Sequence, residues 1–194
     1  MSSTSEIKKG VVIRHQNDLW VVTTFNFVNP GKGSAFTKTR MRSISSGKNL
    51  EITYKSSESV DLVSVARTNM QYLYKSAVPA GRQGENYSFM NKDTYETVDV
   101  NAGVLGDDAK YLRDGLDVIA ILHEDNVVAI DLPKKVTYTV KQAPPAVKGD
   151  SASGNVTKEI VLDNNLVIQA PIFIKEGEDV IVNTDTGDYG GRSA

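Results

Sequence analysis

Short segments rich in β-branched and aromatic residues follow one another along this chain, separated by polar turns about ten residues apart. In residues 36–42, Lys38, Arg40 and Arg42 alternate with uncharged residues, as in a strand with one solvated, basic face. Apolar runs such as 118–122 are far shorter than the ~20 residues that span a bilayer. The pattern therefore predicts an all-β fold built from small barrels, without a membrane-spanning segment.

The strand pattern extends over most of the chain. Predicted strands cover 10–14, 19–25, 36–44, 50–54, 70–74, 87–90, 95–100, 118–122, 127–132, 133–140, 166–174 and 179–183. Residues 104–112 have helical periodicity instead, with Leu105, Ala109 and Leu112 on one side, and predict one short helix.

The composition excludes several classes of protein. The 194 residues include no cysteine, which rules out a disulfide scaffold, a thiolate metal site and cysteine catalysis. The first ten residues contain no apolar stretch of the kind found in signal peptides. We therefore expect a cytoplasmic protein.

The formal net charge of −2 conceals an uneven distribution. Residues 1–64 contain nine Lys and Arg against five Asp and Glu, residues 65–129 contain six against ten, and residues 130–194 contain seven against nine. These changes in balance are the best guide to domain limits, and they divide the chain into 1–65, 66–129 and 130–194. The basic first third fits a polyanionic partner such as nucleic acid, or a simple scatter of surface charge.

One loop, Asn29-Pro30-Gly31-Lys32-Gly33-Ser34, lies between two predicted strands. Pro30 restricts φ and both glycines permit positive φ, so the segment predicts a tight hairpin tip that projects the long side chain of Lys32. Valine at either glycine would then strain the backbone. An ordinary turn with a solvated lysine explains these residues equally well. A phosphate-binding loop does not, because Gly33 stands where that motif requires serine or threonine after Gly31-Lys32.

Residue types that carry catalysis do not gather into a recognisable motif. His15 and His123 fall in predicted turns, and neither has a second histidine or a carboxylate at metal-ligand spacing. The carboxylates at 107–108, 114 and 117 are typical of a solvated helix end and a turn. The sequence therefore predicts neither an enzyme nor a metal or other cofactor, and an enzyme with an unfamiliar active site stays the alternative.

Several short stretches stand in a distinctive order. They are the tip sequence 28–36, Tyr72-Leu73-Tyr74, Tyr87-Ser88-Phe89-Met90, Asp93-Thr94-Tyr95-Glu96, the glycine- and serine-rich segment 149–157, and Asp185-Thr186-Gly187-Asp188-Tyr189. Each is weak alone, and together they span essentially the whole chain. In this order they closely resemble the bacterial translation elongation factor P family.

The resemblance implies a fold and a function. The fold would be an SH3/KOW-like barrel over 1–65 and OB-type barrels over 66–129 and 130–194, in an elongated, L-shaped, tRNA-like monomer. The function would be to bind the 70S ribosome beside P-site peptidyl-tRNA and rRNA and to relieve stalling at consecutive prolines. Lys32 matches the family's tip residue, which is often lengthened by a lysine-modifying enzyme. A β-barrel RNA-binding protein without a role in elongation stays an alternative.

The resemblance also implies candidate site residues. The tip would consist of Lys32 with Pro30, Gly31, Gly33 and Ser34. Lys38, Arg40 and Arg42 would contact RNA, and Asp150, Gly154 and Thr157 would recognise tRNA shape. The chain departs from the family pattern in a longer 75–86 loop, in Glu159 and Ile160 where Pro-Ala is expected, in Asn164 or Asn165 at a glycine position, and in Ala170 at a valine position.

Overall fold

The computed structural model describes residues 2–31, 33–76, 84–145 and 156–193. Within them the chain forms three five-stranded antiparallel sheets in chain order, which confirms the predicted all-β fold of three consecutive β-domains. The chain divides into two compact units, 1–106 with 117–131 and 107–116 with 132–194. The first unit contains the first two sheets and the second contains the third. The domain limits at 65 and 129 stay predictions.

The first sheet is built from residues 2–63. Its elements are β1 (Ser2–Ser3), a 3₁₀ helix (Thr4–Glu6), β2 (Val12–His15), β3 (Asp18–Val28), β4 (Phe36–Ser43), β5 (Asn49–Lys55), β6 (Ser59–Val60) and β7 (Leu62–Val63). The strand order is β5-β4-β3-β2-β7, and β1 pairs separately with β6. Every second residue of β4 is buried, so one face of the sheet covers an apolar core. That core contains Ile7, Ile13, Val22, Met41, Tyr54 and Val60.

The second sheet includes a short helix. Its elements are β8 (Ala66–Ser76), β9 (Asn86–Asn91), β10 (Thr97–Asn101), α1 (Ala102–Leu105), a 3₁₀ helix (Gly106–Tyr111), β11 (Asp117–His123) and β12 (Asn126–Asp131). The strand order is β10-β9-β8-β11-β12. Helix α1 follows one edge strand, β10, and packs against the other, β12, so it bridges the two edges.

The third sheet belongs to the second unit. Its strands are β13 (Lys135–Gln142), β14 (Thr157–Leu162), β15 (Val167–Pro171), β16 (Asp179–Asn183) and β17 (Tyr189–Arg192), in the order β15-β14-β13-β16-β17. The Cα atoms of β15 and β17 come within 8 Å, so the sheet curls until its edges approach. Residues 107–116 complete this unit: the buried Tyr138 hydroxyl donates a hydrogen bond to the Tyr111 carbonyl oxygen at 2.5 Å.

Several local predictions are wrong. The sequence pattern misses β14 and β17. The predicted helix over 104–112 is α1 followed by the 3₁₀ helix, because Gly106 ends α1 with a φ of 57°. The predicted strand 95–100 begins at Thr97, since Tyr95 has a φ of 61°. The two histidines do not lie in turns but end β2 and β11.

Candidate functional site

The hairpin of β3 and β4 carries most of the candidate residues. Its ladder pairs Trp20 with Ser43 near one end and Val28 with Phe36 at the other, and residues 29–35 connect the two strands. The register shifts between Val22 and Thr24, and such a bulge bends and twists the hairpin between its base and its tip. We call this element the tip hairpin.

The connection of the tip hairpin is described on both sides of Lys32, which itself lies outside the described residues. Pro30 is half-buried, whereas Gly31, Gly33 and Ser34 are exposed. Gly33 has a φ of 104°, a conformation that favours glycine. The φ of Gly31 lies outside the positive range, so the expectation of backbone strain for valine at both glycines is wrong for Gly31.

Hydrogen bonds hold the end of the connecting segment 29–35 in place directly before β4. The Ala35 carbonyl oxygen accepts hydrogen bonds from the backbone N–H and the hydroxyl of Ser56, at 3.0 and 2.8 Å. Thr37 pairs with Tyr54 of β5 immediately beyond this point. The β4 side of the connection is therefore held to β5, the edge strand next to β4, and to Ser56 directly after it.

One face of β4 carries the three predicted cations. Lys38 and Arg40 are exposed and Arg42 is half-buried, and the residues between them point into the core. The Arg40 guanidinium forms an ion pair with Glu51, and Arg42 Nη2 donates a hydrogen bond to the Val104 carbonyl oxygen. Lys38 forms no ion pair or hydrogen bond within the described part of the chain. The three cations therefore share a face but differ in what they already contact.

The opposite face of the tip hairpin is aromatic. The side chains of Phe25 and Phe27 are 44% and 57% exposed, although they lie on the same side as the buried core residues of the sheet. Across the ladder they pair with Thr39 and Thr37, which are almost fully buried. The sequence analysis did not predict that Phe25 and Phe27 are exposed. The alternation of phenylalanine with a polar residue at the end of β3 is the sequence signal that could have indicated it.

A carboxylate clamps the base of the tip hairpin. Asp18 begins β3, and its carboxylate accepts hydrogen bonds from the Ser43 hydroxyl at 2.6 Å, the Ser45 hydroxyl at 3.0 Å and the Leu19 N–H at 2.8 Å. The bond from Ser43 is the main cause that lowers the pKa of Asp18 below its usual value of 3.8. The clamp joins the first residue of β3 to the last residue of β4.

The base of the tip hairpin also packs on the second sheet, within the first unit. Val12 and Val21 form an apolar cluster with Ile121, Val128 and Ala129 of β11 and β12. We call this group the shared cluster. Gly10 borders it with a φ of 82°, and a Cβ there would lie 2.5 Å from Cδ1 of Ile121. The close approach of the two sheets therefore requires a glycine at this position.

The candidate residues of the third sheet are only partly described. Asp150 and Gly154 lie outside the described residues. Thr157 is the exposed first residue of β14 and pairs with Pro171. Nearby, Asn165 has a φ of 64°, a left-handed conformation that asparagine adopts more readily than most residues.

In the ranges that the structure describes, no group of three or more His, Cys, Asp or Glu side chains is arranged to hold a metal ion. His15 and His123 end strands of different sheets, and the nearest acidic partner of His123 is Glu124 at 4.0 Å. Over the same ranges, no helix is long and apolar enough to cross a bilayer.

Three family models match this chain in succession. The elongation factor P (EF-P) KOW-like domain matches residues 3–60, the EF-P OB domain matches 65–130, and the elongation factor P C-terminal domain matches 136–192. The chain belongs to the elongation factor P family. It is therefore a translation elongation factor that acts on the ribosome, and the tip hairpin is part of its KOW-like domain.

Two solved structures are loosely similar. Eukaryotic translation initiation factor 5A from Methanococcus jannaschii is 19% identical, with 68% of this chain and 90% of that chain covered and a TM-score of 0.37. A translation initiation factor eif-5a family protein from Naegleria fowleri is 21% identical, with 68% and 96% covered and a TM-score of 0.33. The family assignment rests on the three family models and not on these similarities.

Proposed function

We propose that this elongation factor binds the 70S ribosome beside P-site peptidyl-tRNA and stimulates peptide-bond formation at consecutive prolines. The observation that carries the proposal is the tip hairpin, whose strands of 11 and 8 residues hold Pro30, Gly31 and Gly33 at one end of the KOW-like domain. A long hairpin of this kind can carry the side chain at its end into a narrow site. The factor works as a cytoplasmic monomer and needs no cofactor.

The physics of proline explains what such a factor supplies. The proline ring fixes φ and restricts the preceding residue, so a Pro-Pro peptidyl end holds its reacting carbonyl in a poor orientation. The ribosome provides the chemistry, and correct orientation alone is worth several kcal/mol of the barrier. A factor that corrects the orientation of peptidyl-tRNA requires no nucleophile or general base. We therefore propose a positioning factor and not an enzyme.

Lys32 is the proposed probe of the tip. Its flexible cationic side chain suits contact with the RNA backbone near the reacting groups. A lysine-modifying enzyme would extend this reach by lengthening the side chain. The mass of the intact, natively expressed protein tests this part of the proposal, because an unmodified Lys32 leaves the mass that the sequence predicts.

Lys38 and Arg40, the two exposed cations of β4, are the proposed contacts with tRNA and rRNA backbones. Phosphate contacts position a protein without reading sequence, which suits action on many tRNAs. Lys38 is free for this role within the described residues. The Arg40–Glu51 pair is exposed and contributes only about 0–1 kcal/mol, so a phosphate can replace Glu51 at little cost.

The glycine- and serine-rich segment around Asp150, Gly154 and Thr157 is the proposed sensor of tRNA shape. A segment almost free of large side chains lets backbone N–H groups and hydroxyls approach a surface closely. Asp150→Ala combined with Gly154→Val should then reduce rescue at Pro-Pro sequences with little change in thermal midpoint. A large loss of stability would identify a structural turn instead.

The decisive experiment replaces Lys32 by alanine and measures translation of a Pro-Pro-Pro reporter. The variant should fold normally, because the flanking Gly31, Gly33 and Ser34 are exposed, and a substitution away from the core changes stability by less than about 0.5 kcal/mol. It should fail to rescue the reporter. Lys48→Ala is a matched control, since Lys48 is exposed and, like Lys32 in the sequence, directly follows a glycine between two strands of the same domain. Equal rescue by Lys32→Ala and Lys48→Ala would contradict the proposal.

Family membership favours this function over the β-barrel RNA-binding protein without a role in elongation. A gene deletion distinguishes the two functions: loss of an elongation factor would impair polyproline translation, whereas loss of an RNA-binding protein without a role in elongation would leave it unchanged. An enzyme with an unfamiliar site would instead show turnover that survives Lys32→Ala.

A further inference from the structure

We infer that Arg42 is a positioning residue, which sets the direction of the tip hairpin by joining its base to the second sheet. The inference rests on the proposed function, in which the tip hairpin carries Lys32 to peptidyl-tRNA. It gives Arg42 a different role from Lys38 and Arg40, the two cations on the same face of β4.

The surroundings of this face change along β4. Lys38 pairs across the ladder with Asn26 and Thr53 in an exposed region. Four residues further on, Arg42 pairs with Val21, which is 2% exposed and belongs to the shared cluster with Ile121. The second sheet therefore covers the cationic face at Arg42 and leaves it open at Lys38.

The Arg42 guanidinium reaches the end of helix α1. Its Nη2 atom donates a hydrogen bond to the carbonyl oxygen of Val104. The last carbonyl groups of a helix have no partners within the helix, and a cation is favourable there. Gly106 leaves room for the guanidinium, since a Cβ at this residue would lie 3.3 Å from Nη1 of Arg42.

Helix α1 is itself fixed to the second sheet. The Asn101 side chain caps its start by accepting a hydrogen bond from the Gly103 N–H at 2.9 Å. The Ala102 N–H donates to the Glu85 carbonyl oxygen at 2.7 Å, and the Leu105 side chain is buried. Arg42 therefore binds a helix that hydrogen bonds and the buried Leu105 hold to the second sheet, and its bond links the base of the tip hairpin to that helix.

The distance from Arg42 to the tip turns a small change at the base into a large one. Six residues separate Arg42 from Phe36, which is about 20 Å of strand at about 3.3 Å per residue. A rotation of about 10° at the base displaces the far end by about 3.5 Å over that length. Misplacement by about 1 Å can already lower a rate by about 100-fold. Loss of the Arg42 contact should therefore lower the rate of Pro-Pro peptide-bond formation more than it weakens binding of the factor to the ribosome.

A distance measurement tests directly whether the contact of Arg42 with helix α1 sets the direction of the tip hairpin. Because the chain contains no cysteine, Ser34→Cys and Thr94→Cys introduce two unique labelling sites, both exposed and both in the first unit. Pulsed electron paramagnetic resonance on the full chain should give one narrow distance distribution. Arg42→Met should broaden the distribution or move its maximum by about 3 Å, and Lys38→Met should leave it unchanged. An unchanged distribution in Arg42→Met would overturn the inference.

A kinetic measurement separates positioning from RNA contact. In single-turnover Pro-Pro synthesis, Arg42→Met should lower the rate at saturating factor by about tenfold or more, with the half-saturating concentration and its salt dependence unchanged. Lys38→Met should raise the half-saturating concentration and flatten its salt dependence. The same pattern in Arg42→Met would identify an RNA contact and overturn the inference.

Two controls keep the result interpretable. If Arg42→Met does not fold, Arg42→Lys replaces it, because lysine keeps the charge but lacks the planar guanidinium. If the wild-type factor does not accelerate Pro-Pro synthesis, the proposed function fails, and the distance measurement still decides whether Arg42 sets the direction of the tip hairpin.

Discussion

Replacing Ile121 by alanine should destabilise the first two sheets together. Ile121 lies on β11 in the second sheet, is 0% exposed and packs in the shared cluster with Val12 and Val21 of the first sheet. The substitution removes three carbon atoms, which lowers the free energy of unfolding by about 2.4 kcal/mol at about 0.8 kcal/mol per carbon. The cavity left in a packed interior increases the expected loss to about 3–4 kcal/mol.

The only tryptophan in the chain makes this prediction easy to measure. Trp20 lies on β3 of the first sheet, and its ring N–H donates to the His15 carbonyl oxygen at 3.1 Å. Its fluorescence during urea unfolding therefore reports on the first sheet. At a typical urea dependence of about 2 kcal/mol per M, Ile121→Ala should lower the midpoint of this signal by about 1.5–2 M.

The control is Val98→Ala, also in the second sheet. Val98 is 38% exposed and lies outside the shared cluster, so its truncation should change the midpoint little. If Ile121→Ala lowers the circular-dichroism midpoint but leaves the Trp20 midpoint unchanged, the two sheets unfold separately and the coupling argued from the shared cluster is wrong.

Two further predictions concern the tip hairpin. Gly33→Val should reduce Pro-Pro rescue more than Gly31→Val in a reporter assay, because only Gly33 has a positive φ, of 104°. Asp18→Asn should remove a pH-dependent stabilisation. Hydrogen bonds, first that from Ser43, lower the folded-state pKa below 3.8, so this stabilisation is present above 3.8 and is lost as the pH falls through the folded-state value. Unfolding measured over this pH range in both proteins checks it, and parallel curves would contradict it.

Much of the fold follows from local sequence, and the exceptions have local causes. Alternation predicts β4, since each of its residues faces either core or solvent. β17 escapes prediction because Gly190 and Gly191 are residues that strands disfavour. Tyr95 reads as a strand residue, yet its N–H bonds to the Asn91 carbonyl oxygen at 2.8 Å in a turn with positive φ. Competing turn chemistry overrides propensity there.

The candidate site also has parts that local sequence predicts and parts that depend on contacts between distant residues. Neighbouring residues define the tip hairpin, so its strands and the shared face of Lys38, Arg40 and Arg42 could be predicted from sequence. The partner of Arg42 could not, because Val104 lies 62 residues away and the contact depends on how two sheets pack. Glu51 could not be predicted as the partner of Arg40 either, since this contact depends on the pairing of β4 with β5.

The second unit is discontinuous in sequence, and this limits how such proteins can exchange parts. Residues 107–116 belong with 132–194, although 117–131 between them belong to the first unit. Recombination between relatives at residue 132 would deliver a Tyr138 whose hydroxyl must meet the Tyr111 carbonyl oxygen of a different parent. Asn164, whose side chain donates to the Lys110 carbonyl oxygen at 2.9 Å, would face the same requirement. A chimaera should therefore inherit 107–116 and 132–194 from one parent, so these two segments are expected to evolve as a pair.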